Sequence, residues 1–218
     1  MLVPSRGRPD NIVALLESWQ VTSGGAAELL VAVDDDDPEL DRYRALDVSL
    51  EVGPRLRLGP TLNKLAVERA RDHFAIGFLG DDHRLRTKGW DQFIVKELHD
   101  LGTGIVYGDD LLQRERLPTA VAMTSDIITT LGYMVPPGLI HMYADNAWLV
   151  LGKELGRIRY LPDVVIEHMH PIAGKAPVDV GYAEVNSPGM YARDGAVFQR
   201  WLRERMSTDV ARLKEILQ

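Results

Sequence analysis

The sequence predicts an α/β fold with a mostly parallel central sheet flanked by helices. Short apolar runs of strand length recur along the first half, each ending in acidic or turn residues, and helical patterns separate them. One run, Phe78-Leu79-Gly80-Asp81-Asp82-His83, stops on two adjacent carboxylates. Open α/β sheets place their ligand crevice just past the carboxyl ends of such strands. Alternating strands and helices imply parallel strands joined by right-handed crossovers.

Val3 belongs to a first strand of only a few residues. The polar turn Pro4-Ser5-Arg6-Gly7-Arg8-Pro9 follows, then a helical pattern through Ile12, Leu15, Leu16 and Trp19. Glu28 to Val33 form a second run that ends in Asp34-Asp35-Asp36-Asp37-Pro38, and Leu50 to Val52 a third before Gly53-Pro54. Pro60 suits the first position of a helix with Leu62, Leu65, Ala66 and Ala70 on one face, which leads into the strand Ala75 to Leu79. In the second half, Gly104 to Tyr107 read as a strand and Thr124-Ser125-Asp126 as the cap of a helix ending near Gly132. After the turn Pro136-Pro137-Gly138, a helix opens at Asp145, carries Trp148, Leu151 and Leu155, and stops at Gly156. Arg157 to Ile166 read as one or two strands, Pro171 to Gly189 as a mobile loop, and Gly195 to Leu217 as one amphipathic helix. The expected division is a catalytic domain over 1–193 and a C-terminal helical extension over 194–218. That extension packs on its own domain or pairs with a second copy through Trp201 and Leu202.

With 218 residues, 45% of them apolar and 26% charged, the chain suits one globular α/β domain, or such a core with a small appendage, able to bury an ordinary core. No apolar stretch approaches the roughly 18 residues of a membrane span. The first residues show no secretion signal, so a cytoplasmic location is expected. The absence of cysteine excludes disulfides, thiolate metal sites and cysteine nucleophiles. A net charge of −7 argues against nucleic acid as a partner, which needs a basic face.

The candidate chemistry lies on the polar segments between these elements. Asp81 and Asp82 follow an apolar strand, with Gly80 leaving room for a ligand against the backbone, and their hard oxygens suit Mn²⁺ or Mg²⁺. His168 and His170 alternate along an extended segment and so share a face; either is the imidazole that completes such a site. Together they suggest a metal–diphosphate site. Arg6 and Arg8, in the turn that also holds Pro4 and Ser5, meet a phosphate or a base. Asp35 or Asp36 hydrogen-bonds a ribose or base, and Asn63 and Lys64 sit in a helical first turn that favours anions. Asp145 is the candidate general base, although an Asp in that position also serves the helix dipole.

Taken in order, these residues resemble the nucleotide-sugar glycosyltransferases of the Rossmann-like glycosyltransferase-A fold, above all the inverting family 2 group and its small bacterial and phage forms. The matching segments are Val3 to Pro9, Val33 to Asp36, Gly59 to Asn63, Gly80-Asp81-Asp82 in the place of a DxD signature, Tyr107-Gly108-Asp109, Thr124 to Gly132, Ala144-Asp145 and the His168 region. Gly80 stands where the first Asp of that signature falls, and Ala144 where a Glu usually precedes the catalytic Asp. The resemblance implies that Asp82 and His168, with His170 as the alternative, hold Mn²⁺ or Mg²⁺. It further implies that the Arg6 region and the first acidic loop bind the nucleoside and that Asp145 deprotonates an acceptor hydroxyl on a glycan, protein or small molecule. The rival expectations are a non-catalytic nucleotide- or carbohydrate-binding module on the same fold and a sugar-phosphate nucleotidyltransferase.

Overall fold

The computed structural model describes residues 1–217. In chain order the elements are β1 (Leu2–Ser5), α1 (Pro9–Thr22), β2 (Leu30–Asp34), α2 (Leu40–Arg44), β3 (Ser49–Gly53), α3 (Leu58–Arg69), β4 (Ala75–Phe78) and β5 (His83–Leu85). They continue with α4 (Trp90–Leu101), β6 (Ile105–Asp109), β7 (Val121–Thr124), α5 (Ser125–Leu131), α6 (Ala144–Leu155), β8 (Ile158–His168), α7 (Val180–Val185), α8 (Pro188–Glu204) and α9 (Met206–Glu215). The strands form one sheet in the order β3-β2-β1-β4-β7-β6-β8-β5. β7 runs antiparallel to β4 and β6, and β5 antiparallel to β8; the remaining pairs are parallel. The expected mostly parallel sheet is therefore observed, with two reversed strands.

Period-two alternation explains why helices cover both faces. Leu2, Ala32, Ile76, Phe78, Ile105, Val121 and Met123 point to one face, where Leu62, Ile127, Trp148, Phe198, Trp201 and Leu213 of α3, α5, α6, α8 and α9 cover them. Val3, Val31, Val33, Val106 and Ala122 point to the other, against Ile12, Leu15, Tyr43, Trp90, Ile94 and Leu98 of α1, α2 and α4. Close approaches fix the register of these layers. A Cβ at Gly59 would lie 2.2 Å from the Leu139 carbonyl oxygen, and one at Gly108 would lie 2.3 Å from that of Val164, beside the irregularity where β6 meets β8. Among the described residues no helix is long and apolar enough to cross a membrane.

Four differences from the sequence expectations have physical causes. α4, β5, β7 and the short α2 were not anticipated, although Trp90, Ile94 and Leu98 recur at helical spacing and are buried. The segment expected to be a mobile loop holds α7, whose N-cap Asp179 accepts the Tyr182 amide at 2.6 Å. The single C-terminal helix is two, broken at Arg205. Finally, the expected 193/194 boundary falls inside α8, and both last helices belong to the main core. Trp201 Nε1 donates to Asp209 Oδ2 at 3.0 Å and to the Tyr133 hydroxyl at 3.2 Å, and the Tyr133 hydroxyl donates to the same carboxylate.

Trp201→Ala should accordingly destabilise the whole protein by about 3–5 kcal/mol, the usual cost of emptying an aromatic core site. Urea denaturation followed by circular dichroism is expected to show one transition at a lower midpoint. An extension that folds apart from the rest would leave the main transition in place.

Candidate functional site

The carboxyl ends of β1, β2 and β4 open on a cavity of about 940 Å³, within the range of small-molecule sites. Ser5, the last residue of β1, donates its hydroxyl to Asp81 Oδ2 at 2.7 Å and meets the Tyr43 hydroxyl at 2.9 Å. Arg8 and Asn11 approach Asp81 Oδ1, each at 3.5 Å. Burial and the adjacent charge of Asp82 push the Asp81 carboxyl up from 3.8 to about 6. Burial works the same way on Asp82, but His168, His83 and Arg8 prevail and hold its carboxyl well below the usual range. The two carboxyls are thus pushed in opposite directions, Asp81 up and Asp82 down.

The antiparallel pairing of β5 with β8 sets His83 opposite His168, with the rings stacked at 4.5 Å. The Met169 amide donates to the Asp82 carbonyl at 2.9 Å, so the two segments are pinned on both sides of the pair. His168 Nε2 consequently lies 3.3 Å from Asp82 Oδ2. His83 Nδ1 accepts the Gly80 amide at 2.9 Å, and burial with the neighbouring His168 lowers this imidazole to about 3, so it is neutral. A Cβ at Gly80 would lie 2.6 Å from Asp82 Oδ1 and 2.9 Å from His83 Nδ1, so any larger residue there has to move these side chains.

Asp82 and His168 fit a divalent ion. Neighbouring ligands of an octahedral ion at 2.0–2.1 Å stand about 3 Å apart, close to the observed separation of the oxygen and nitrogen. The mixed set suits Mn²⁺ or Mg²⁺ with its other positions left to water and phosphate oxygens. Among the described residues no group of three or more His, Cys, Asp or Glu side chains is placed to hold a metal ion.

Asp145 sits in the first turn of α6, on the same cavity. Burial raises its carboxyl, and the Asn146 amide at 2.8 Å only partly offsets this. The turn that delivers it is organised by a residue far along the chain. Fully buried Asp194 of α8 accepts the amides of His141 and Met142 at 2.7 and 2.8 Å and that of Ile140 at 3.1 Å. Tyr143 then takes a left-handed conformation, φ 66°, and starts the helix.

Of the residues expected from the sequence, Pro4, Ser5, Arg6, Arg8, Lys64, Gly80, Asp81, Asp82, Asp145, His168 and His170 all line this cavity. Asp35, Asp36 and Asn63 lie off its wall. β2 continues through Asp34, so strand alternation turns Asp34 to the face of Ala32 and into the cavity, where Arg6 Nη1 donates to it at 2.9 Å. Asp36 is exposed and pairs with the outer side of Arg6 at 2.5 Å. Asn63 is committed to backbone: Oδ1 accepts the Met134 and Val135 amides at 2.9 and 2.7 Å, and Nδ2 donates to the Val135 carbonyl at 2.8 Å. His83, Arg55, Arg57 and the α7 side chains were missed; only the proximity of His83 to the carboxylate pair signalled any of them.

The sheet, with helices on both faces, has the glycosyltransferase-A fold. No protein-family model and no curated protein matches the chain. Solved structures do match it in fold. The mannosyltransferase PcManGT from Pyrobaculum calidifontis, in complex with GDP-Man and Mn²⁺, superposes with a TM-score of 0.61 at 14% identity, covering 97% of this chain and 71% of that one. Glucosyl-3-phosphoglycerate synthase from Mycobacterium tuberculosis, with Mn²⁺, UDP and phosphoglyceric acid, gives 0.55 at 16% identity over 89% of this chain and 78% of that one. S. aureus TarS gives 0.55 at 16% identity over 76% of this chain, which spans only 35% of the TarS chain.

Because the Asp81 carboxyl is raised in the folded protein, its ionisation opposes folding. The folded form binds more protons than the unfolded one between 3.8 and about 6, so stability falls as pH rises through that window. Asp81→Asn should therefore raise the melting temperature of the metal-free protein above pH 6, with the gain vanishing below pH 3.8. Thermal denaturation across pH checks this.

Proposed function

We propose that the protein is a metal-dependent glycosyltransferase, moving a hexose from a nucleoside-diphosphate sugar to an acceptor hydroxyl with inversion at the anomeric carbon. One observation carries the reading. Asp82 Oδ2 and His168 Nε2, 3.3 Å apart, share a cavity with Asp145, a carboxylate that has no cationic partner among the described residues. A divalent ion bound there supplies positive charge against the leaving diphosphate.

The residues of the chain supply the remaining requirements. Asp82 stays ionised, and His168 presents its Nε2 to the same point. Asp34, anchored by Arg6, offers a carboxylate on the cavity wall to ribose or base hydrogen-bond donors. Asp145 receives the proton of the acceptor hydroxyl as that oxygen attacks the anomeric carbon and the bond to the diphosphate breaks. Burial raises its carboxyl above the ordinary range, which makes its ionised form a stronger base than an ordinary aspartate. Inversion requires a single base on the side of the sugar opposite the diphosphate, the role this reading gives to Asp145.

A thermal-shift panel of UDP, GDP, CDP, ADP and dTDP with and without Mn²⁺ tests this assignment. One nucleotide should stabilise the protein only with the metal, and Asp82→Ala should abolish that shift. Asp145→Asn should keep the shift and lower transfer by about 10²-fold or more, the usual contribution of a general base. Loss of nucleotide binding in Asp145→Asn would overturn its role as base.

A further inference from the structure

α7 is held to the rest of the protein by charge. None of its residues is buried, and Val180 at its start is 87% exposed. Asp179, its N-cap, grips Arg8 with both oxygens: Nε donates at 2.7 Å and Nη2 at 2.6 Å. One turn on, Glu184 pairs with Arg55 Nη2 at 3.1 Å and Arg57 Nη1 at 2.5 Å. Gly181 lies so near that a Cβ would stand 3.4 Å from Arg8 Nη2. These three arginines belong to the cavity itself. Arg8 reaches Asp81 at 3.5 Å, Arg55 reaches Asp34 at 3.7 Å, and both carboxylates of the α7 segment line the same space.

We propose that Arg8, Arg55 and Arg57 form an anion-binding wall whose occupants are the chain's own Asp179 and Glu184, and that a phosphate-bearing ligand fills the cavity by displacing α7. A guanidinium fork accepts phosphate oxygens in the same two-pronged geometry as a carboxylate. A diphosphate brings more charge and more oxygens than the two carboxylates it replaces. Exposed ion pairs contribute little and weaken with salt, and α7 adds to them only half-buried apolar contacts such as the Tyr182 ring on His170 at 5.2 Å, so the latch opens reversibly. The proposal concerns the cavity of the glycosyl-transfer reading but rests only on an anionic ligand, so binding alone decides it.

The chain contains no cysteine, so Val178→Cys, at an exposed position beside Asp179 and off the cavity wall, carries a single fluorophore. Inorganic pyrophosphate with Mn²⁺ should lower the anisotropy of this label as α7 comes free. The double variant Asp179→Asn/Glu184→Gln should show the lower anisotropy without ligand and bind pyrophosphate about tenfold more tightly, because it no longer has to leave a closed state. Arg55→Ala/Arg57→Ala should free the label and weaken binding. Matching melting curves establish that the variants are folded. Equal affinity in the wild type and the carboxylate variant, binding that leaves the label unmoved, or no binding to either protein would overturn the proposal. Titrating nucleoside diphosphates against glucose 6-phosphate distinguishes a donor diphosphate from an anionic acceptor. If pyrophosphate moves α7 while no nucleoside diphosphate binds more tightly than pyrophosphate, the latch stands and the transferase reading fails.

Discussion

Three residues, His83 to Leu85, hydrogen-bond antiparallel to the end of β8, and that short ladder joins the chain just past β4 to a segment more than a third of the sequence away. Strand pairing has a period of two, so a slip of one residue would turn His168 to the opposite face. Stacking of His83 on His168 and the Met169 amide on the Asp82 carbonyl act against such a slip. The carboxylate and imidazole are thus held by backbone rather than by flexible side chains. Closure of so long a loop is entropically costly, which is why the surrounding core carries this cost and the polar contacts of the site only complete it.

The electrostatics of the cavity follow from the same economy of placement. In a chain of net charge −7, the cations that matter sit where strands β1 and β3 end. Arg6 is matched by Asp34 and Asp36, Arg8 by Asp81 and Asp179, and Arg55 and Arg57 by Glu184. Each is partly shielded from water and kept in position. At physiological ionic strength charges more than about 8 Å apart are screened, so the overall negative charge repels an anionic ligand only weakly, and the nearby guanidinium groups decide its binding.

What could be read from the sequence divides along physical lines. Apolar runs ending in acidic or turn residues revealed β1, β2, β4 and the cavity edge, because burial on both faces leaves a signal that needs no distant partner. β5 is too short to show a period, and α7 is encoded by its cap rather than by an apolar face. Asp34 to Asp37 are four identical side chains; only the length of β2 selects Asp34 among them. Asn63 reads as a ligand residue, yet its amide is spoken for by a backbone segment about seventy positions on, a pairing that no local pattern encodes. Arg55 and Arg57 look like ordinary loop arginines until Glu184 lies against them.

Asp194 gathers the amides of Ile140 to Met142, and no other carboxylate is placed to do so in the described structure. During synthesis the turn before Asp145 is therefore made long before its organiser. A nascent chain that has emerged only through α6 can assemble β1 to β4, yet its three peptide N–H groups at that turn still face water. Order in the region around Asp145 is completed only when α8 docks, so a carboxylate 52 to 54 positions further along the chain finishes the turn.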